Sequence, residues 1–234
     1  MLRDLKRCVW KANLDLVRHN LVILTFGNAS RIDRKKGIVA IKPSGVSYED
    51  MKPEDIVLVD LEGKVIGGKL NPSSDTPSHL ELYRAFPAIG GITHVHSEHA
   101  TMFAQAEREI PCLGTTHADH FNGPVPVTRR LKKSEVENDY EANTGKVIVE
   151  RFKNLDPLEM PAVLVAGHGP FCWGRSVEEA VANSLILEKV AVMALGAKLL
   201  SLRKTALPDY LLKKHFQRKH GPRAYYGQRK GAKK

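Results

Sequence analysis

The residues with the most chemistry in this 234-residue chain are three histidines. Two lie in the segment Gly90-Gly91-Ile92-Thr93-His94-Val95-His96-Ser97. Read as a strand, its side chains alternate between faces, so His94 and His96 point the same way, about 7 Å apart along the backbone. Two imidazoles at that spacing can converge on one ion. The third, His168, stands between Gly167 and Gly169, at the end of a further predicted strand, Ala162 to Ala166. Glycine there allows close backbone approach and leaves space for a ligand. Three histidines with an open position describe a catalytic zinc site, and zinc acts as a Lewis acid on a bound oxygen. Manganese or cobalt also accept three imidazoles. Asp75 is a candidate fourth ligand or an outer partner to the histidines. The competing reading is that these rings only hydrogen-bond within the fold. His99 reads as a helix-start residue, and His19 and His79 carry no comparable signal.

Three turns share a second chemistry. Thr25-Phe26-Gly27-Asn28, Lys42-Pro43-Ser44-Gly45 and Ser73-Ser74 each offer hydroxyls and backbone N–H groups. The third lies next to a predicted helix N-terminus, whose dipole favours an anion. With Lys42 they would suit a phosphate. None matches a nucleotide-binding glycine pattern. Each taken singly is an ordinary turn.

The elements that must position these groups follow from periodicity. Leu2, Leu5, Val9, Ala12 and Leu16 recur at helical spacing. Short β-branched runs over 22–25, 37–41, 56–61 and 64–66 read as strands, the last two as a hairpin. Asp75-Thr76-Pro77 predicts a helix start, with Thr76 as cap and Pro77 at the first helical position. That helix runs to about Phe86, followed by a strand over 91–96 and helices over 99–108, 134–152, 177–200 and 209–220. The result is an α/β layered domain with a mixed or antiparallel sheet. The apolar stretch over 177–200 is interrupted by Glu178, Glu179, Asn183, Glu188 and Lys189, which predicts a packed helix and not a membrane span.

A hydrophobic content of 42% supports a core, and Cys8, Cys112 and Cys172 lack metal or redox spacing and suggest a reducing cytoplasm. The charged N-terminus lacks the apolar centre of a signal peptide. The formal net charge is +10, much of it after residue 201. That suits a polyanion or a small anionic substrate such as a sugar phosphate. One domain is expected over residues 1–228, with a basic tail over 229–234.

The ordered set of motifs resembles the class II aldolase/adducin superfamily. It comprises Thr25 to Ser30, Ile41 to Val46, Pro72 to Thr76, Gly91 to Ser97, Gly114-Thr115-Thr116-His117-Ala118-Asp119, His168 to Phe171, and Arg218 to Gln228. The resemblance implies a three-layer α/β/α sandwich around a mostly antiparallel sheet, assembled as a fourfold-symmetric homotetramer. It implies Zn2+ on His94, His96 and His168, with Asp75 at the fourth position. It implies substrate phosphate at Gly27, Asn28, Ser44, Gly45, Ser73 and Ser74. It assigns Asp119 and Tyr226 as acid/base groups supplied across a subunit interface, with Thr115, Glu141 and His215 secondary. The aspartate at position 75, where related aldolases carry glutamate, points to the epimerase branch: C4 inversion of a pentulose phosphate by breaking and remaking the C3–C4 bond. The alternatives are a fuculose- or rhamnulose-phosphate type aldolase and a non-catalytic adducin-like or nucleic-acid-binding module. Phe26, Val95 and His120 depart from the superfamily pattern, where Trp, Thr and Tyr are usual.

Overall fold

The computed structural model describes residues 2–203 and 205–227. The expected basic tail over 229–234 lies outside the described residues. The helices are α1 Leu2–Arg18, α2 Thr76–Ala85, α3 Glu98–Gln105, α4 Thr115–Ala118, α5 Lys133–Glu137, α6 Tyr140–Arg151, α7 Val177–Leu200 and α8 Asp209–His220. The strands are β1 Asn28–Asp33, β2 Ile38–Ile41, β3 Val57–Val59, β4 Val65–Gly67, β5 Gly91–His94, β6 Ala162–Leu164 and β7 Pro170–Gly174. They form one sheet in the order β4-β3-β2-β1-β5-β7-β6, and every ladder is antiparallel.

Alternation along the strands assigns the two layers of helix. On β1, Asn13 of α1 binds the Ala29 backbone on one side. On the other side Ser30 meets His79 and Tyr83 of α2. On β5, Thr93 bonds Ser184 of α7, while Ile92 joins a core cluster with Leu80, Leu82 and Tyr83. Thus α1 and α7 cover one face, and α2, backed by α6, covers the other. Although α7 is long and apolar enough to cross a membrane by length and composition, half of that window is buried. It packs chiefly on β7 and β5, the behaviour of a core helix.

Several sequence expectations change here. Residues 22–25 form a loop and not a strand, and the strand lies at Asn28–Asp33. The run Ser30-Arg31-Ile32-Asp33 hides it, because polar side chains occupy a buried face. β7 is an addition to the expected strands, starting at Pro170 directly after Gly169. The helix expected over 134–152 is two helices, broken where Asp139 takes a left-handed φ of 53°. Asp75, and not Thr76, is the N-cap of α2, so Pro77 follows the first helical residue. Strand β5 stops at His94, which places His96 just beyond it.

Packing is especially close between β5 and the start of α7. A Cβ on Gly91 would fall 2.3 Å from Val177 Cα and 2.4 Å from Val177 N. Both obstacles are backbone, so neither can move aside alone. Gly91→Ala is expected to lower stability by about 3 kcal/mol, the upper end for overpacking a core. Denaturant unfolding checks this, and a loss below about 1 kcal/mol would contradict the packing described.

Candidate metal centre and anion cradle

Three backbone contexts deliver the three imidazoles. His94 ends β5, His96 follows it, and His168 sits in the β6–β7 hairpin. That hairpin is closed by Val165 N–H on Gly169 O at 2.9 Å and His168 N–H on Val165 O at 3.0 Å. Gly167 supplies its left-handed residue, with φ 71°. The ring nitrogens of His94, His96 and His168 lie within 4.8 Å of one another. Their ring planes are inclined at 63° to 74°, splayed about a common point rather than stacked.

The hydrogen bonds fix how these rings present themselves. His94 Nδ1 lies 3.0 Å from Pro170 O. A carbonyl only accepts, so Nδ1 carries the proton and Nε2 keeps its lone pair. That lone pair faces His96 Nε2 at 3.1 Å. The His94 ring also stacks on Phe171, with centroids 4.1 Å apart. Burial first, and then the neighbouring imidazoles, push His168 down to about 3. The same causes lower His96. Neutral imidazole is the metal-binding form, so the donor set fits a divalent cation held by nitrogen, with orientation already imposed by an outer partner.

Asp75 stands beside this group and outside its ligand set. Its Oδ2 accepts from Asn28 Nδ2 at 2.7 Å. Burial acts to raise its proton affinity. The imidazoles of His94, His79 and His168 and the Asn28 bond outweigh burial and hold the carboxyl below its ordinary value.

The three turns expected to hold an anion meet next to it. Ser73 N–H donates to Lys42 O at 2.9 Å and Ser44 N–H to Asn71 O at 3.0 Å, so two of the turns run side by side. The third is joined through Asn28 Nδ2, which reaches Ser73 Oγ at 3.1 Å. Gly27 has φ 85°, and a Cβ there would meet Val22 Cγ1 at 2.7 Å and His94 O at 3.1 Å. Only glycine lets this turn close on the end of β5. Ser44, Gly45 and Ser74 remain exposed, while Asn28 and Ser73 are buried. Asn28 Oδ1 is buried without a hydrogen-bond partner among the described residues.

Lys42 departs from the expectation that it faces the anion. It is buried, and its ammonium donates to Val46 O at 2.8 Å, Pro43 O at 3.3 Å and Thr25 O at 3.4 Å. All three N–H bonds are occupied, and Lys42 therefore braces two of the turns from below. Burial pushes it down to about 8.

The expected acid/base residues form a second group. Asp119 follows α4, and its carboxylate accepts from Arg218 Nη2 at 2.7 Å, Arg218 Nε at 3.0 Å and His215 Nδ1 at 3.0 Å. Burial raises its proton affinity, but the Arg218 and His215 bonds and the Lys219 charge win, leaving it lowered. Tyr226 is 61% exposed, and its ring lies under Lys219 Nζ at 4.5 Å and the Arg218 guanidinium at 5.0 Å. Among the described residues no hydrogen bond, ion pair or ring contact joins Asp119, His215 or Tyr226 to the three histidines. Thr115 opens α4, and Glu141 offers its backbone carbonyl to Ser78 Oγ, tying α6 to α2.

Two neighbours of the site were not singled out from the sequence. His79 is fully buried one helical turn after Asp75, with Nδ1 2.7 Å from Ser30 Oγ. Its spacing from Asp75 on a helix was the available signal. Tyr140 brings its hydroxyl to 3.4 Å from His168 Nδ1. No sequence signal marked it, because α6 reaches the hairpin only through the tertiary fold. His99 lies in the first turn of α3, as expected, where Glu188 of α7 accepts from its backbone and ring.

The model for "Class II Aldolase and Adducin N-terminal domain" matches residues 7–195. L-ribulose-5-phosphate 4-epimerase UlaF of Salmonella paratyphi B is 52% identical over 228 residues, which is 97% of this chain and 100% of that protein. A solved L-fuculose 1-phosphate aldolase superposes with a TM-score of 0.78 at 28% identity, covering 92% of this chain and 95% of the other. The L-fuculose-1-phosphate aldolase of Thermus thermophilus gives 0.67 at 26% identity, covering 86% and 98%. On its matched length, its sequence identity and its sheet topology, the chain belongs to the class II aldolase and adducin N-terminal domain family.

Proposed function

We propose that this chain is an L-ribulose-5-phosphate 4-epimerase, interconverting L-ribulose 5-phosphate and D-xylulose 5-phosphate by cleaving and re-forming the C3–C4 bond. The observation that carries this reading is the convergence of three imidazoles beside a cradle of glycine and serine turns. The identity and full coverage of the Salmonella relative support the substrate. The ion is Zn2+, on the all-nitrogen donor set, with Asp75 next to it. The three free cysteines support a cytoplasmic location.

When bound by His94, His96 and His168, the cation supplies Lewis acidity where negative charge develops on the substrate ketone and hydroxyl oxygens. The chain's own residues do the rest. The exposed backbone and hydroxyls of Ser44, Gly45 and Ser74, with Gly27, Asn28 and Ser73 behind them, hold the phosphate. A base takes the C4 hydroxyl proton, and the C3–C4 electron pair stays with the three-carbon fragment. The two-carbon aldehyde, pinned by its phosphate, turns to present its other face. The same bond re-forms, and the new C4 oxygen takes a proton from the opposite side. Asp119 and Tyr226 are the two proton-handling groups, one for each face. Because both stand apart from the histidines within one chain, they act on a neighbouring subunit of a homotetramer, with Arg218 and His215 orienting the carboxylate. Retention of the aldehyde separates this activity from that of an aldolase, which releases it.

Replacing His168 by Asn is expected to remove most bound metal by elemental analysis. It should also lower the coupled formation of D-xylulose 5-phosphate by about 100-fold or more, while the circular dichroism spectrum is unchanged. A chelator should reproduce the loss in the parent protein, and added zinc should reverse it. Full activity in metal-free protein would sink the reading.

The cross-subunit arrangement has its own test. His96→Asn and Asp119→Asn proteins should each be nearly inactive. Dissociated and reassembled together, they should recover activity, because some interfaces then join an intact histidine set to an intact carboxylate. No recovery in mixed assemblies, verified by mass, would place both groups on one chain.

A further inference from the structure

The sheet has two ends, and the catalytic reading uses only one. At that end Asn28 pairs with His94; at the other, Arg31 pairs with Gly91 and Gly91 with Gly174. The run from Asn28 to Asp33 spans roughly 17 Å at strand rise. A cavity of about 530 Å³ opens at this far end. It is lined by the apolar Leu5, Ile32 and Ile89 and by the cationic Arg31, Arg34, Lys35 and Arg175. The two carboxylates in the lining are Asp4 and Asp33.

The cations have two distinct situations. Arg34 is fixed, donating to Tyr83 O, Phe86 O and Ile89 O at 2.8 to 3.3 Å. Those carbonyls lie at and beyond the C-terminal end of α2, and they use the guanidinium's donors without neutralising its charge. The side chains of Arg31, Lys35 and Arg175 have no carboxylate partner among the described residues. They come from three places: β1, the β1–β2 turn and the β7–α7 turn. Like charges gathered around one concavity repel and focus a positive potential into it. Guanidinium and ammonium groups there match a phosphoryl group in geometry and charge. The volume lies within the range of small-molecule sites, and a lining of both apolar and cationic residues suits a ligand with an organic body and an anionic group.

We infer that this cavity is a second ligand site, separate from the phosphate cradle, that takes a small phosphate ester through Arg31, Lys35 and Arg175. It does not depend on the epimerase reading, since none of its residues belongs to the histidine site, the cradle or the Asp119 group.

Phenylglyoxal labelling of arginines, followed residue by residue in peptide mass spectra, tests it on the metal-loaded protein. Glycerol phosphate is the probe. The expected result is saturable, several-fold slower labelling of Arg31 and Arg175, with no change at the exposed Arg108 outside the cavity. Lys35→Glu, at an exposed turn position, should weaken that protection and leave the epimerase KM and kcat unaltered. Equal labelling with and without the probe, equal protection of Arg108, or undiminished protection in Lys35→Glu would overturn the proposal.

Discussion

The register of three antiparallel strands is the constraint on which the site depends. β1 sets Asn28 opposite His94, and β7 sets Phe171 opposite His94 on the other flank. Those pairings put the cradle's buried amide on one side of the first imidazole. They put the stacking ring and the Pro170 carbonyl on the other. A slip of one residue in either ladder would turn His94 toward α7, where Thr93 now bonds Ser184. Glycines at Gly27 and Gly91 hold the register by permitting approaches that no side chain allows. The site's geometry is therefore a consequence of sheet pairing, and loop conformation only completes it.

Charge is distributed to suit that frame. Burial keeps His96 and His168 neutral and available as donors. Asp75, equally enclosed, is nonetheless held below its ordinary value and accepts from the Asn28 amide. Lysine and arginine, which in a basic protein of this kind would be assumed to face substrate, are used in part as struts. Lys42 ties together turn carbonyls beneath the cradle, and Arg34 closes the C-terminal end of α2. The N-terminal end of the same helix carries Asp75. One short helix thus has its anion next to the histidines and its last carbonyls held by a fixed cation.

How much of this the sequence revealed depended on the kind of signal. α7 and α8 lie at the residues expected, because long periodic stretches are redundant and tolerate local exceptions. The histidine triad was legible from spacing and flanking glycines, even though His96 lies past the strand whose alternation was used to place it. β1 was not legible, since its core-facing Ser30 is polar and finds its partners, His79 and Tyr83, some fifty residues away. The break lies at two poor helix formers, Asn138 in extended and Asp139 in left-handed conformation, and the apolar spacing on either side masks it. Lys42 looked like a phosphate ligand because residue type says what a side chain can bind but not which carbonyls reach it first.

The separation of Asp119 and Tyr226 from the histidines is consistent with the two parts proposed for them. A cation site needs donors fixed on paired strands and a tight hairpin, and the end of the sheet provides them. In the proposed reaction, proton transfer to two faces of one carbon needs groups approaching from different directions. Here those groups sit on α4 and behind α8, gathered by Arg218, which bonds the Asp119 carboxylate and covers the Tyr226 ring. The basic character of α8 is thereby explained in part: Arg218, Lys219 and His215 all face one carboxylate. With Tyr226 exposed and the Asp119 carboxylate enclosed by Arg218 and His215, what favours this group serving a neighbouring copy, as proposed, is its lack of contact with the three histidines among the described residues.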